Sequence, residues 1–185
     1  MPEAGDQPAK PARTWRPMIL WAAAIIAVLG LLGLAGAAVG GYRQARSVAE
    51  AYGNGGRISV EEAMKRLGGP RGAFPKLRLL LHLPERLASA TERHAAVYLL
   101  SRCGPGAVPE LIRFLGDSDP VTRHTAAEAL RDMVPPAPEA DPALAKALQQ
   151  AVPGLEQSAR DGNGRVRQEA ASALKKLRGE APPKP

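Results

Sequence analysis

The feature that most constrains the fold is a helical pattern that occurs three times along the chain. Each copy opens with Ala, an apolar residue and Pro, followed two positions later by Leu, at residues 73–77, 107–111 and 151–155. An alanine-rich segment follows each opening, at residues 93–100, 123–130 and 167–174. Periodic helix pairs are typical of solenoids, because one pair cannot bury both of its apolar faces and must stack on another. The sequence therefore predicts an all-α fold, a short α-solenoid of about three helix pairs.

The spacing of the copies indicates where the repeat domain lies. The first-helix openings are 34 residues apart and then 44 apart, so the second gap contains an insert. We expect Asp141 and Pro142 to begin a lengthened first helix of the third pair near Ala143. Ser59 and Glu62 have the spacing of a capping box, which predicts a short helix before the first pair. The repeat domain is predicted over residues 58–178.

A long apolar segment precedes the repeats. Residues 18–41 are 24 consecutive positions without a charged side chain, and about 20 apolar residues suffice for a helix to cross a membrane. The sequence predicts a transmembrane anchor at 18–41, followed by a juxtamembrane linker at 42–57. The Pro-containing ends, residues 1–17 and 179–185, are predicted to be disordered tails.

Cleavage and sidedness of the anchor allow alternatives. Residues 35–37, Ala-Gly-Ala, are similar to a signal-peptidase site, but the apolar stretch is longer than a usual signal sequence, which favours a retained single-pass anchor. Three basic residues lie close to each end of it, at 10, 13 and 16 and at 43, 46 and 57. A short N-terminal tail is often kept inside, which favours the non-cytoplasmic side for the C-terminal domain.

Small residues within the apolar segment suggest a second role for it. Gly36 and Gly40 form a GxxxG pair, which lets two helices approach closely in a membrane. The alternative is the ordinary enrichment of small residues in an anchor. A homodimer through the Gly36/Gly40 face is therefore a possible partner arrangement.

Composition argues against several functional classes. The net charge is +7, but acidic residues recur among the basic ones and no basic cluster with interleaved aromatics is present, so we expect no nucleic-acid partner. Cys103, the only cysteine, ends a predicted helix as a packed thiol. His94 and His124 occupy equivalent repeat positions, yet two imidazoles rarely hold zinc alone. We find no catalytic motif, and expect no enzymatic activity, cofactor or metal.

The second copy carries a family resemblance. Residues 107–112, 115–120 and 123–130 follow the pattern of HEAT repeats, and most closely resemble the bacterial class called PBS-lyase HEAT-like repeats. The third copy keeps Asp161 and Arg167. The resemblance implies a structural ladder in which Asp117 hydrogen-bonds with Arg123 and Asp161 with Arg167.

The same resemblance implies where a partner binds. In such repeats the second helix of each pair lines the inner surface. The implied partner contacts are His94, Tyr98, His124, Glu128, Arg131, Gln168, Ser172 and Lys175. We therefore expect a membrane-anchored, protein-binding scaffold or adaptor whose HEAT-repeat surface holds a protein or peptide. The alternative, which the same family suggests, is an accessory or lyase-type subunit acting on a tetrapyrrole or protein substrate.

Overall fold

The structure, a computed structural model, describes residues 16–82 and 88–179. Within these ranges the chain forms α-helices and short 3₁₀ turns, with no strand. The α-helices are α1 (Arg16–Gly53), α2 (Val60–Leu67), α3 (Gly69–His82), α4 (Ala90–Leu100), α5 (Val108–Phe114), α6 (Pro120–Met133), α7 (Pro142–Gln149), α8 (Val152–Ser158) and α9 (Gly164–Leu177). The predicted all-α fold is confirmed.

Three helix pairs form the repeats: α3 with α4, α5 with α6, and α8 with α9. The second helices pack in series, so that α6 contacts both α4 and α9. One aliphatic core runs through the stack and includes Leu80, Leu111, Leu130 and Leu155, each 0% exposed. The alanines of the second helices are buried beside these leucines, which lets neighbouring helices approach closely. The predicted stacking of helix pairs into a short solenoid is confirmed.

The chain divides into two compact units, residues 1–37 and residues 38–185. The described part of the first unit belongs to α1, where the apolar side chains from Ile26 onward are exposed, Leu34 by 70%. From Ile26 onward, α1 is long and apolar enough to cross a membrane, a test that a signal sequence also passes. Residues 1–15 of the predicted N-terminal tail lie outside the described residues, whereas Arg16 and Pro17 are already helical. Of the predicted C-terminal tail, only Gly179 is described.

The second unit begins within α1, which changes the predicted role of residues 42–57. Ala45 and Ala49 are 0% exposed and belong to the same core as the repeats. The Tyr52 ring stacks on Tyr98 of α4 with the centroids 6.0 Å apart, and Arg46 Nε donates to Glu92 Oε1 of α4 at 3.0 Å. Residues 42–53 are therefore a packed helix of the domain, and the predicted linker is reduced to the turn at 54–57. We call residues 42–53 the capping segment.

Gly53 shows how closely the capping segment approaches α4. A Cβ at this position would lie 2.8 Å from Thr91 Cγ2 and 3.1 Å from the Thr91 carbonyl oxygen. Only glycine fits such an approach without a shift of one of the helices. The glycine that ends α1 therefore also allows α1 to pack on the first repeat.

The insert before the third pair also differs from its prediction. In place of one lengthened first helix there are two helices, α7 and α8, separated at Gln150 and Ala151. Pro153 has no N–H to donate to a carbonyl four residues back, and its ring would crowd that carbonyl, which favours a break between α7 and α8. Asp141 caps α7 as expected, accepting from the Leu144 amide at 2.9 Å.

Two serines cap the helices of the first half of the domain. Ser59 Oγ accepts from the Glu62 amide at 3.2 Å, but the Glu62 carboxylate pairs with Arg66, so only half of the predicted capping box forms. A complete box lies at α4, where Ser89 Oγ accepts from the Glu92 amide and Glu92 Oε2 accepts from the Ser89 amide at 2.6 Å. Because Glu92 also binds Arg46, this box connects the start of α4 to the capping segment.

Candidate partner-binding surface

The eight predicted partner contacts lie on the three second helices at equivalent turns. Each helix buries its alanines toward the core, and none of the eight side chains on the opposite side is buried. The first row across the stack is His94, His124 and Gln168, the second is Tyr98, Glu128 and Ser172, and the third is Arg131 and Lys175. We call this set the second-helix surface. The structure divides it into side chains that connect neighbouring helices and side chains that have no such bond.

His94 belongs to the connecting group. Its Nε2 lies 2.6 Å from Asp119 Oδ2, and Asp119 is the N-cap of α6. The same carboxylate accepts from the amides of Val121 and Thr122 and from Thr122 Oγ1. Although desolvation opposes the effect, hydrogen bonds from His94, Thr122 and the α6 amides lower the pKa of Asp119 to about 2. His94 therefore joins α4 to the start of α6.

This carboxylate gives a prediction for acid stability. The pKa of Asp119 is lower in the folded chain than the ordinary value of about 3.9, so its ionised form stabilises the fold. That stabilisation is present above about pH 4 and is lost as pH falls toward 2. Because its side chain is 41% exposed, we expect solvent screening to limit the contribution to about 1 kcal/mol or less.

The variant Asp119→Asn removes the charge but can keep the N-cap of α6, because an asparagine, Asn163, caps α9 in the same way. We expect wild type to exceed Asp119→Asn in unfolding free energy between about pH 4 and pH 5, and by less as the pH is lowered further. Urea unfolding followed by circular dichroism across this range measures the difference. A difference that stays constant down to pH 3 would contradict the assignment.

Arg131 is the centre of an ion-pair network. Its guanidinium donates to Asp132 Oδ1 at 2.9 Å, forms an ion pair with Glu169 of α9, and lies 3.9 Å from Glu128 Oε1. Although desolvation opposes the effect, the hydrogen bond to Asp132 and the charge of Glu169 raise the pKa of Arg131. The Arg131 carbonyl also accepts from Lys176 Nζ at 3.0 Å. Arg131 therefore connects α6 to α9, so a substitution there would disturb the fold as well as the surface.

Tyr98 is similarly engaged. Besides its stack on Tyr52, its ring lies 5.9 Å from the Arg102 guanidinium carbon, and its hydroxyl donates to Asp132 Oδ2 at 3.5 Å. The capping segment, α4 and α6 meet at this ring. Tyr98 thus has a structural function that sequence alone did not indicate.

Four members of the second-helix surface remain available. Among the described residues, no side-chain hydrogen bond or ion pair is formed by His124, Gln168, Ser172 or Lys175. Three of these four lie on α9, and His124 lies on α6 beside it. We call these four the open surface. A partner can bind to them without breaking an existing contact.

A shallow cleft adjoins the open surface. It has a volume of about 330 Å³, lies between the starts of α6 and α9, and is lined by His124, Val121 and Arg165 among others. Val121 is 50% exposed, so an apolar side chain is accessible in the cleft. The cleft combines an apolar side chain with a cation, and sequence reasoning did not single out either Val121 or Arg165.

A second cleft lies on the other side of the stack, between α5 and α8. It has a volume of about 850 Å³, and its lining includes Arg113, Glu156 and Arg160. Arg123 and Asp161 also line it but bind each other. The alternative of a lyase-type subunit requires a pocket of ligand size, and this cleft is where such a ligand would be sought.

The ladder residues have a different geometry from the predicted one. Arg123 Nη1 donates to the main-chain carbonyls of Asp117 and Ser118 at 2.8 and 3.0 Å. Its Nε and Nη2 bind both carboxylate oxygens of Asp161, in the following pair, at 2.8 and 3.0 Å. Arg167 likewise donates to the carbonyl of Asp161. Within one repeat, the predicted partners are joined by a bond from the Arg side chain to the Asp main-chain carbonyl. The bond between the two side chains, Arg123 and Asp161, joins neighbouring repeats.

An equivalent ion pair joins the first and second repeats, where Arg93 Nη2 lies 3.8 Å from Asp117 Oδ2. In the pair between the second and third repeats, the hydrogen bond to Asp161 raises the pKa of Arg123, and the Arg123 guanidinium lowers the pKa of Asp161. Each loop Asp is thus bound by the Arg of the preceding second helix. The ladder holds the repeats in register.

The ladder predicts a difference between two matched substitutions. Arg123→Lys removes a bidentate carboxylate bond and two carbonyl bonds that one ammonium cannot replace together, and we expect it to destabilise the domain by about 1–3 kcal/mol. Arg167→Lys removes only bonds to carbonyls of its own loop, so we expect a smaller loss. The measurement is urea unfolding of both variants. Equal losses would mean that the bond between repeats contributes nothing beyond the local one.

Cys103 is a packed thiol. Its Sγ lies 3.8 Å from the Leu99 carbonyl oxygen, and burial raises the pKa of the thiol to about 11. A thiol with a raised pKa is a poor nucleophile at neutral pH. Cys103 is partly buried and packs against the core at the end of α4.

One comparison with known proteins found a match. Residues 77–153, from the middle of α3 to the start of α8, match the model of the HEAT repeats family, so this part of the chain is similar to HEAT repeats. Searches of curated proteins and of solved structures each found no match. The narrower resemblance to PBS-lyase HEAT-like repeats, the homodimer through Gly36 and Gly40, and the side of the membrane stay predictions.

Proposed function

We propose that the protein is a membrane-anchored scaffold whose second-helix surface binds a protein or peptide partner. The observation that carries the proposal is the open surface on α6 and α9, within or next to a segment that matches HEAT repeats. HEAT repeats commonly mediate protein interactions. The function requires no chemistry of the scaffold, only a rigid face on which a partner is held.

The chemistry of the open surface indicates the kind of partner. Lys175 is exposed, Gln168 and Ser172 can donate or accept hydrogen bonds, and Arg165 adds a positive charge beside the apolar Val121. A partner segment that fits has acidic and hydrogen-bonding side chains around one apolar residue. The apolar residue would enter the cleft next to His124, and the acidic ones would face Lys175 and Arg165.

The anchor gives the scaffold its second property. The apolar side chains of α1 from Ile26 to Val39 are at least half exposed, and a lipid bilayer is the environment that favours such a helix. An anchored scaffold holds its partner at the membrane, where the local concentration of other membrane proteins is high. Anchoring and partner binding can be tested separately.

Site-specific photocrosslinking in native membranes tests the binding surface. A photoreactive side chain is placed at Gln168 or Lys175, and in matched controls at Glu156 or Gln157, which are exposed on α8. We expect a discrete crosslinked protein at the first two positions and none at the controls. Equal crosslinking at all four positions, or none at Gln168 and Lys175, would contradict the proposed surface.

Alkaline carbonate extraction tests the anchor. A membrane-spanning chain stays in the membrane pellet at high pH, because its apolar helix is held by the hydrocarbon core and not by charge. We expect the protein in the pellet. Its release into the supernatant would show that α1 is not a retained anchor.

A further inference from the structure

The end of the apolar part of α1 lies beside the corner between α2 and α3. Gln44 Nε2 donates to the Arg66 carbonyl at 2.6 Å, and Lys76 Nζ donates to the Leu67 carbonyl at 2.8 Å. At Gly41 an added Cβ would lie 3.4 Å from Lys76 Cγ. The fold therefore places the α2–α3 corner next to residues 41–44, where the apolar sequence ends.

Basic side chains are frequent on this corner and on the adjoining turn of α1. Lys65, Arg66, Arg71 and Lys76 belong to α2 and α3, Arg43 directly precedes Gln44 on α1, and we call these five residues the basic collar. Arg66 pairs with Glu62 at 2.8 Å, and Lys76 is held by the Leu67 carbonyl. Arg43, Lys65 and Arg71 are exposed and form no ion pair with any residue in 16–82 or 88–179. Three unpaired cations thus lie on the α1 turn at residues 41–44 and on the two helices that this turn contacts.

We propose that the basic collar binds the headgroups of anionic phospholipids. The inference rests on the proposed membrane anchor, since only an inserted α1 brings residues 41–44 to the level of the headgroups. Val39 is the last large apolar residue of the stretch, and Arg43 follows one turn later. Cations within a few residues of a membrane surface are attracted to anionic lipids, and the arginine guanidinium can bind a phosphate through two hydrogen bonds.

The collar would give the domain a defined contact with the membrane surface. Its unpaired cations lie on two elements, α1 and the α2–α3 corner, that are joined by the Gln44–Arg66 and Lys76–Leu67 bonds. Lipid binding would therefore engage the same helices that cover the first repeat. The open surface on α6 and α9 is formed by other residues and stays available to a partner.

The experiment uses the full chain in vesicles of four parts phosphatidylcholine to one part phosphatidylglycerol. The protein is extracted in mild detergent, and the lipids that remain bound are quantified by mass spectrometry. We expect phosphatidylglycerol to be enriched several-fold over its share in the vesicle, and we expect high salt to reduce the enrichment. The triple variant Arg43→Glu, Lys65→Glu, Arg71→Glu should retain the two lipids in the vesicle ratio.

A matched control carries the same change of charge elsewhere. Lys146, Arg160 and Arg178 are also exposed, and their replacement by Glu should leave the enrichment as in wild type. Both triple variants should keep the helix content of wild type by circular dichroism, because all six side chains are exposed. Equal enrichment in wild type and the collar variant, or equal loss in the collar and control variants, would overturn the inference.

Alkaline extraction of the same vesicles separates the two proposals. If the protein stays in the vesicles without enriching phosphatidylglycerol, the basic collar is contradicted and the anchor stands. If it is released, the anchor fails and the collar with it.

Discussion

Ala49→Glu should destabilise the repeat domain by about 3 kcal/mol or more, because it forces a carboxylate into a fully buried site. Ala49 lies in the capping segment and is 0% exposed. The position lies in the hydrophobic core. A carboxylate there would therefore either stay buried without a partner or push α1 away from the core. Urea unfolding of the full chain in mild detergent, followed by circular dichroism, measures the loss.

Ser47→Glu is the matched control. Ser47 lies two residues earlier on the same helix and is exposed, so the same side chain is added at a solvated position, where we expect a change within about 0.5 kcal/mol. The change in helix propensity is below about 0.5 kcal/mol in both variants, unfavourable for Ala→Glu and favourable for Ser→Glu. If Ala49→Glu and Ser47→Glu unfold together with wild type, residues 42–53 act as the linker that the sequence predicted.

Leu130→Ala is the second substitution with a large expected effect. Leu130 is 0% exposed on α6, which packs against both α4 and α9. Removal of its side chain leaves a cavity at the middle of the stack, and such changes destabilise proteins by about 2–5 kcal/mol. We expect unfolding at a correspondingly lower urea concentration, with circular dichroism as the readout.

Val121→Ala is its control, because Val121 is on the same helix but 50% exposed. We expect a loss of less than about 1 kcal/mol, since little apolar area leaves the core. An equal loss for the two variants would mean that α6 is not the central helix of a packed stack.

Helical periodicity allowed the repeats to be predicted from sequence. The apolar positions of α5 and α6 are spaced for one face of a helix, and the structure buries Val108, Leu111 and Leu130 on such faces. Proline positions were informative as well, because a proline restricts the backbone locally. The effect of Pro153 was underestimated, since it ends one helix and begins the next.

The capping segment was missed for a physical reason. Its buried residues, at 45, 48 and 49, and the partly buried Tyr52 have helical spacing, but Ala45 and Ala49 are small and follow directly after a far more apolar stretch. Alanine is almost as common on an exposed helix as in a core, so these positions gave little indication of burial. The segment contacts α4 through Arg46, Tyr52 and Gly53, and α4 is about 40 residues away in sequence.

The sequence predicted which residues lie on the second helices, but not which of them are free of contacts with neighbouring helices. Equivalence between repeats placed all eight residues on the second helices, as the structure has them. Whether such a residue is available depends on contacts between helices, and those depend on the residue that each neighbouring repeat contributes. His94 meets Asp119, for example, whereas His124 has Asn163 at the equivalent position. The ladder also depends on the neighbouring repeat, because Arg123 binds the carboxylate of Asp161 in the next repeat and not that of Asp117 in its own.

Hydrogen exchange of the full chain in mild detergent tests the central claim, that the capping segment and the repeats form one stack. Amide protection is followed by mass spectrometry as urea is raised. The structure predicts that residues 45–52 and α4 lose protection at the same urea concentration, because they share one core and open together. Loss of protection in residues 45–52 at a clearly lower urea concentration, with α4 still protected, would contradict it.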